Sequence, residues 1–146
     1  MRQIYLLVCS AIIILSSCKR TDLVTDGPAS LNGQWKMTAV KEIHSGTVLT
    51  KPASVNGDVV LTFSATNNMS GIFFGVTPSN EIWQNSYYTG ADQSLSMSAL
   101  SMTKVMETAW GNEFVNNIRT AHHYYFDGDG VLNITTQQKT LVFKKL

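Results

Sequence analysis

"GQWKMTAV", residues 33–40, places Trp35, Met37 and Ala39 on one side of an extended chain and Lys36 and Thr38 on the other. A period of two marks a half-buried strand of an antiparallel sheet, because successive side chains leave opposite faces. The same beat recurs. "DVVLTFSA" (58–65) sets Val59, Leu61 and Phe63 against Thr62 and Ser64, and "SLSMSAL" (94–100) sets Leu95, Met97 and Ala99 against three serines. "VLNIT" (131–135) pairs Leu132 with Ile134, and "TLVFKK" (140–145) pairs Leu141 with Phe143. Turn formers separate these runs: Asn56-Gly57, Asn67-Asn68, Gly90-Ala91-Asp92 and Asp127-Gly128-Asp129-Gly130. The aromatic stretch between them, "SGIFFGVTPSNEIWQNSYYTG" (70–90), is expected to hold two strands joined by an irregular link.

One segment breaks the pattern. "GNEFVNNIRTA" (111–121) spaces Phe114 and Ile118 four apart, with Asn112 as the expected N-cap and Glu113 as a first-turn acid. The predicted order is about five strands, one short helix over an end or face of the sheet, then three strands. A sheet of that length with short hairpins curls and closes, which removes its edges. The expected fold is mainly β: a small antiparallel barrel or strongly curved sheet, with one short helix before the last strands.

The N-terminus reads differently. Residues 4–15 are almost all apolar and follow a single arginine. Twelve residues are too few for a ~30 Å hydrocarbon core, which needs about 20, but they suit a secretory leader. "LSSC" (15–18) then resembles a bacterial lipobox, in which the cysteine is acylated and becomes the first mature residue. The competing reading is an ordinary signal peptide with a chance cysteine. The expected organisation is a lipoprotein signal peptide at 1–17, a flexible tether at 18–30 carrying lipid on Cys18, and a β domain at 31–146. Lys19 directly after the cysteine, rather than aspartate, points to the outer membrane, with the face left open between periplasm and surface. Cleavage removes Cys9 and Arg2, so ten basic residues face ten acidic ones. A neutral chain without a clustered basic surface is not built to collect nucleic acid. With Cys18 lipidated, no thiol is left for a disulfide or for redox chemistry.

"LNGQWKMTAV" (31–40), "VVLTFSATNNMSGIFFG" (59–75), "SLSMSALSMTKVM" (94–106), "NEFVNNIRTAHHYYFDGDGVLNI" (112–134) and "KTLVFKKL" (139–146), in that order, together resemble the META domain family of heat-shock-related bacterial envelope lipoproteins. Gly33, Trp35, Phe63, Gly71, Thr103, Glu113, Leu132, Leu141 and Phe143 fall on the family's positions. The chain lacks the family's two cysteines, and Asn80 stands where the family asparagine is expected. The resemblance implies a lipocalin-like β-barrel topology, an association with envelope stress and no established catalytic chemistry. Lipocalins share the Gly-x-Trp opening, but their main helix follows the last barrel strand.

Sites of chemistry are sparse in the sequence. His122 and His123 are adjacent, so on a strand they point to opposite faces and cannot chelate one ion, and His44 is remote. "DGDG" (127–130) starts like a calcium loop but lacks the closing glutamate, which favours a hairpin turn. No serine lies in a nucleophile elbow. Glu42, Asp58, Glu81, Asp92, Glu107 and Glu113 read as scattered, solvated carboxylates. Asn133-Ile134-Thr135 is a glycosylation sequon, idle in a bacterium. No catalytic, metal or cofactor-binding residue is expected, and no enzyme. The aromatics Phe73, Phe74, Trp83, Tyr87, Tyr88, Trp110, Tyr124 and Tyr125 read either as core or as a ligand cavity or contact patch. Trp83 and Trp110 are the first candidates for a cleft.

The expected function is a non-catalytic, membrane-anchored envelope lipoprotein with an interaction or structural role. The alternative is a lipocalin-like carrier of a small apolar ligand. Replacing the acylated thiol tests the anchor: Cys18→Ala should abolish fatty-acid labelling and release the protein from membranes, and unchanged labelling would refute the assignment.

Overall fold

The Gly-x-Trp segment forms β1 (Gly33–Glu42), a central strand that most of the sheet is built around. The computed structural model describes residues 31–146; the expected leader, Cys18 and the expected tether lie outside the described residues. Five strands follow β1 before the helix: β2 (Val48–Thr50), β3 (Val60–Asn67), β4 (Ser70–Val76), β5 (Glu81–Thr89) and β6 (Leu95–Met97). Then come α1 (Ala109–Ile118) and three strands, β7 (His123–Phe126), β8 (Leu132–Thr135) and β9 (Lys139–Lys145). They form one antiparallel sheet in the order β6-β5-β4-β3-β1-β9-β8-β7, with β2 paired to the second half of β1. The two ends of that order meet. Ser94 bridges His123, Leu95 N–H donates to His122 O, and Tyr124 N–H donates to Gln93 O, both bonds at 3.0 Å. The sheet is thereby a nearly closed barrel with the helix late in the chain, which is the predicted class.

The interior is packed with aromatic side chains. Trp35, Phe63, Phe73, Tyr87, Tyr124, Trp110, Phe114 and Phe143 are all buried. Phe63 meets Tyr87 edge-on at 5.3 Å and Phe73 at 5.9 Å, and Trp35 lies 5.6 Å from Phe126. Trp35 also donates its indole N–H to Leu31 O at 2.7 Å, and the Lys145 ammonium lies over its ring. Gly33 sits at φ 122°, a backbone region that L side chains rarely adopt, which explains why glycine opens the Gly-x-Trp strand.

The backbone departs from strict alternation where it bulges or turns. The pairing of β1 with β9 skips a residue between Met37 and Ala39. The extra residue flips the inward face, so Val40 is buried and Ala39, expected inside, is only half-buried. "SLSMSAL" alternates as a strand only through Met97; Ala99 is exposed and Leu100 buried. The helix starts earlier than expected. Its N-cap is Thr108, whose hydroxyl accepts from Gly111 N–H at 3.0 Å, rather than Asn112. Glu113 therefore lies beyond the first turn, where it meets the Lys139 ammonium at 2.6 Å. The short β2 carries no apolar–polar alternation, because all three of its residues are exposed.

Gly71, a position of the family resemblance, faces the ring of Tyr87. A Cβ there would meet the Ser64 carbonyl and come 2.6 Å from two ring atoms of Tyr87. Gly71→Ala should destabilise the domain by about 3 kcal/mol, the upper end of overpacking costs, read as a lowered urea midpoint. A midpoint equal to wild type would show that β4 and β5 can separate to admit the methyl.

Candidate functional site

Alternation sorts the candidate aromatics into two groups. Phe73, Tyr87, Tyr124 and Trp110 point inward, whereas Phe74, Trp83, Tyr88 and Tyr125 are 40%, 53%, 58% and 38% exposed. On the outer wall Phe74 pairs across to Thr62 on β3, and Val76, itself exposed, pairs across to Val60. Between β4 and β5 the register shifts: Phe73 opposes Asn85 and Gly75 opposes Ile82, so Phe74 faces both Trp83 and Gln84. That bulge brings Trp83 to the rim of a cleft of about 490 Å³, whose walls include Leu100, Met102, Lys104, Val115 and Arg119. Trp110, the other candidate, is core.

The cleft has one wall on β5 and its neighbour segment (101–105) and the other on α1. Two asparagines hold the segment to β5. Asn85 Oδ1 accepts from Ser101 N–H at 2.8 Å while its Nδ2 donates to Ser101 O at 3.4 Å. Asn80 repeats the pattern at Val105, four residues beyond Ser101, accepting from Val105 N–H at 2.7 Å and donating to Val105 O at 3.0 Å. Each carboxamide has the donor and acceptor of a peptide group, so it can continue the ladder where the backbone of β5 turns away. Between them Trp83 N–H donates to Ser101 O and Thr103 N–H to Glu81 O, each at 3.0 Å. Thr103 Oγ1 adds a bond to Asn80 Oδ1 at 3.0 Å. Asn80 thus acts as a structural clip.

Glu107 completes the base of the cleft. Its Oε2 accepts from Thr77 Oγ1 and from Asn80 Nδ2 at 2.9 Å, and its Oε1 accepts from Thr108 N–H at 2.9 Å. Burial pushes this carboxyl up, but the donors Thr77, Asn80, Thr108 and Ser79 outweigh it and hold it below the usual carboxylate range. Gly111 leaves the room the carboxylate occupies: a Cβ there would collide with it. The charge also stands at the N-terminus of α1, where the helix dipole favours an anion.

The remaining candidates are dispersed. His122 and His44 are exposed and His123 half-buried. Among the described residues no group of three His, Cys, Asp or Glu side chains is gathered to hold a metal. "DGDG" is the β7–β8 turn, where Asp127 Oδ1 accepts from Val131 N–H at 2.9 Å and from Asp129 N–H at 3.2 Å. The sequon residue Asn133 is buried. The carboxylates are less uniformly solvated than expected. Asp58 binds both Lys36 and Lys51 at 2.8 Å, and those bonds lower its pKa, while Glu107 and Glu113 are half-buried and partnered. Burial, with the neighbouring Tyr124, pushes the Tyr87 phenol up to about 12, so it stays neutral in the core.

The Glu107 cluster sets an acid limit. Because the folded carboxyl sits below its ordinary value, its contribution is complete above the unfolded pKa, near 4.5, and is lost as pH falls through the lower folded value. Glu107→Gln places an amide nitrogen against existing donors and should cost about 1–3 kcal/mol at neutral pH. Urea titrations at pH 7 and pH 3 should show the variant's deficit shrinking in acid; a pH-independent deficit would count against the charge.

Comparison with known proteins locates the architecture. No family model matches the chain, and no curated protein matches it. A solved structure described as the NMR structure of the protein from Burkholderia xenovorans is similar, with a TM-score of 0.55 at 18% identity. The match covers 82% of this chain and 88% of that one. At that identity the likeness is one of fold.

Proposed function

We propose that the protein is a non-catalytic, lipid-anchored envelope lipoprotein with a META-like domain, whose role is to contact another protein of the envelope. The observation that carries this reading is the sorting of aromatics. The barrel interior is filled by Trp35, Phe63, Phe73, Tyr87 and Phe143, while Phe74, Trp83 and Tyr88 stand on the outer wall. A carrier of a small apolar ligand needs room inside the barrel, so interior packing supports the contact reading over the carrier. Exposed Trp and Tyr provide large contact area with a polar handle, the chemistry enriched at protein interfaces. The leader and Cys18 support a lipid anchor, Lys19 after the cysteine supports an outer-membrane location, and the order of strands, helix and three strands supports the family resemblance. The stress association rests on that resemblance alone.

Crosslinking from the intact lipoprotein in its native envelope tests the reading. A defined protein adduct should form with wild type and fall at least about tenfold with Phe74→Ser/Trp83→Ser, surface changes that leave the core intact. Recovery of only lipid or small molecules would overturn it.

A further inference from the structure

The barrel seam closes for only part of its length. Beyond Met97 the chain continues along β5, and Ser101, Thr103 and Val105 direct their backbone groups at β5 and at Asn80. Ile82 and Met102 form an antiparallel pair flanked by the bonds from Trp83 to Ser101 and from Thr103 to Glu81. In such a pair the two residues' own N–H and C=O groups point away from each other. Those of Met102 therefore face away from β5, and alternation sends those of Lys104 the same way; both residues line the cleft that α1 also lines. Among the described residues these groups meet no hydrogen-bonding partner. The facing wall is a single stripe of the helix and its C-cap, Asn112, Val115 and Arg119, at i, i+3 and i+7.

We propose that this cleft receives an extended, acidic peptide segment of a partner protein, which adds as a strand to the open edge at Met102 and Lys104. This rests on the contact reading above and gives that partner a chemistry. A free strand edge beside a helix is the setting of strand addition, in which main-chain bonds supply affinity and side-chain pockets supply selectivity. A small apolar ligand offers nothing to unpaired N–H and C=O groups. Trp83, Leu100 and Val115 line the cleft for apolar side chains of the incoming strand. Its charge follows from the ionic inventory. Lys104 and Arg119 line the cleft and form no ion pair among the described residues, whereas the Glu107 carboxylate is already occupied by Thr77, Asn80 and Thr108. The unmatched charge is positive, so the matching peptide carries Asp or Glu.

Selection of displayed random heptapeptides on the full-length protein tests this. Enriched sequences should alternate β-branched or aromatic residues with Asp or Glu. The synthetic peptide should shift the Met102 and Lys104 amide resonances and the Trp83 indole resonance. N-methylation of alternate peptide amides should weaken binding about tenfold or more, as should Arg119→Glu. Lys104→Pro deletes the cleft-facing N–H and should weaken binding beyond Lys104→Ala, which deletes only the charge. No enrichment over bare support, unshifted Met102 and Lys104 amides, or equal binding of the N-methylated peptide each overturns the proposal. A protein adduct captured equally by wild type and Arg119→Glu leaves the contact reading standing and rejects this cleft.

Discussion

Everything in this fold hangs on a short seam. Without the Ser94–His123 bridge and the bonds Leu95 to His122 and Tyr124 to Gln93, β6 and β7 would be two free edges of an open sheet. Unpaired backbone in a sheet edge attracts other strands, and a barrel removes that hazard by pairing its ends. Yet β6 is three residues long and β7 four, so the seam cannot run the height of the wall. The chain that connects them has to leave the seam, follow β5, turn at Glu107 and return as α1. Closure at one end and a cleft at the other are therefore one geometric event.

What allows the departure is a pair of carboxamides. A strand that leaves its ladder strands backbone donors and acceptors, and buried ones cost about 1–3 kcal/mol each when unmatched. Asn85 and Asn80 answer Ser101 and Val105 with two bonds apiece, so the connecting segment stays in register on the β5 side. Thr77, Asn80 and the Thr108 amide then converge on Glu107, tying the β4–β5 turn to the start of α1. The polar groups here fix direction rather than add core.

The sheet was legible because alternation reports burial directly: Val59 just before β3, Leu61 and Phe63 within it, and Leu132 and Ile134 in β8, are buried as the pattern says. The failures have local causes. A bulge inserts a residue without altering composition, so Ala39 and Val40 exchanged faces. Leu100 took the inward place expected of Ala99 because the strand ends at Met97 and its alternation stops there. Asn112 has good capping chemistry, but a cap is chosen by where the chain enters, and Glu107 and Gly111 fix that entry at Thr108. The candidate site was half legible. Trp83 was marked by its type, whereas the open edge at Met102 arises from pairing between β5 and the segment (101–105), which no local spacing encodes.

The bulge in β5 links these parts. Strict alternation from Ile82 inward would turn Gln84 in and Asn85 out. Setting Trp83 and Gln84 together against Phe74 instead returns Asn85 to the buried side, beside Ser101, while Trp83 stays exposed at the cleft. The same inserted residue thus supplies the clamp that holds the open edge in place and the indole that borders it. The outer aromatic wall and the cleft meet at Trp83, so a partner strand seated on the edge would lie against the wall as well. A contact surface made this way depends on backbone register. Its specificity is then set by how β5 is paired, ahead of which apolar side chains happen to decorate it.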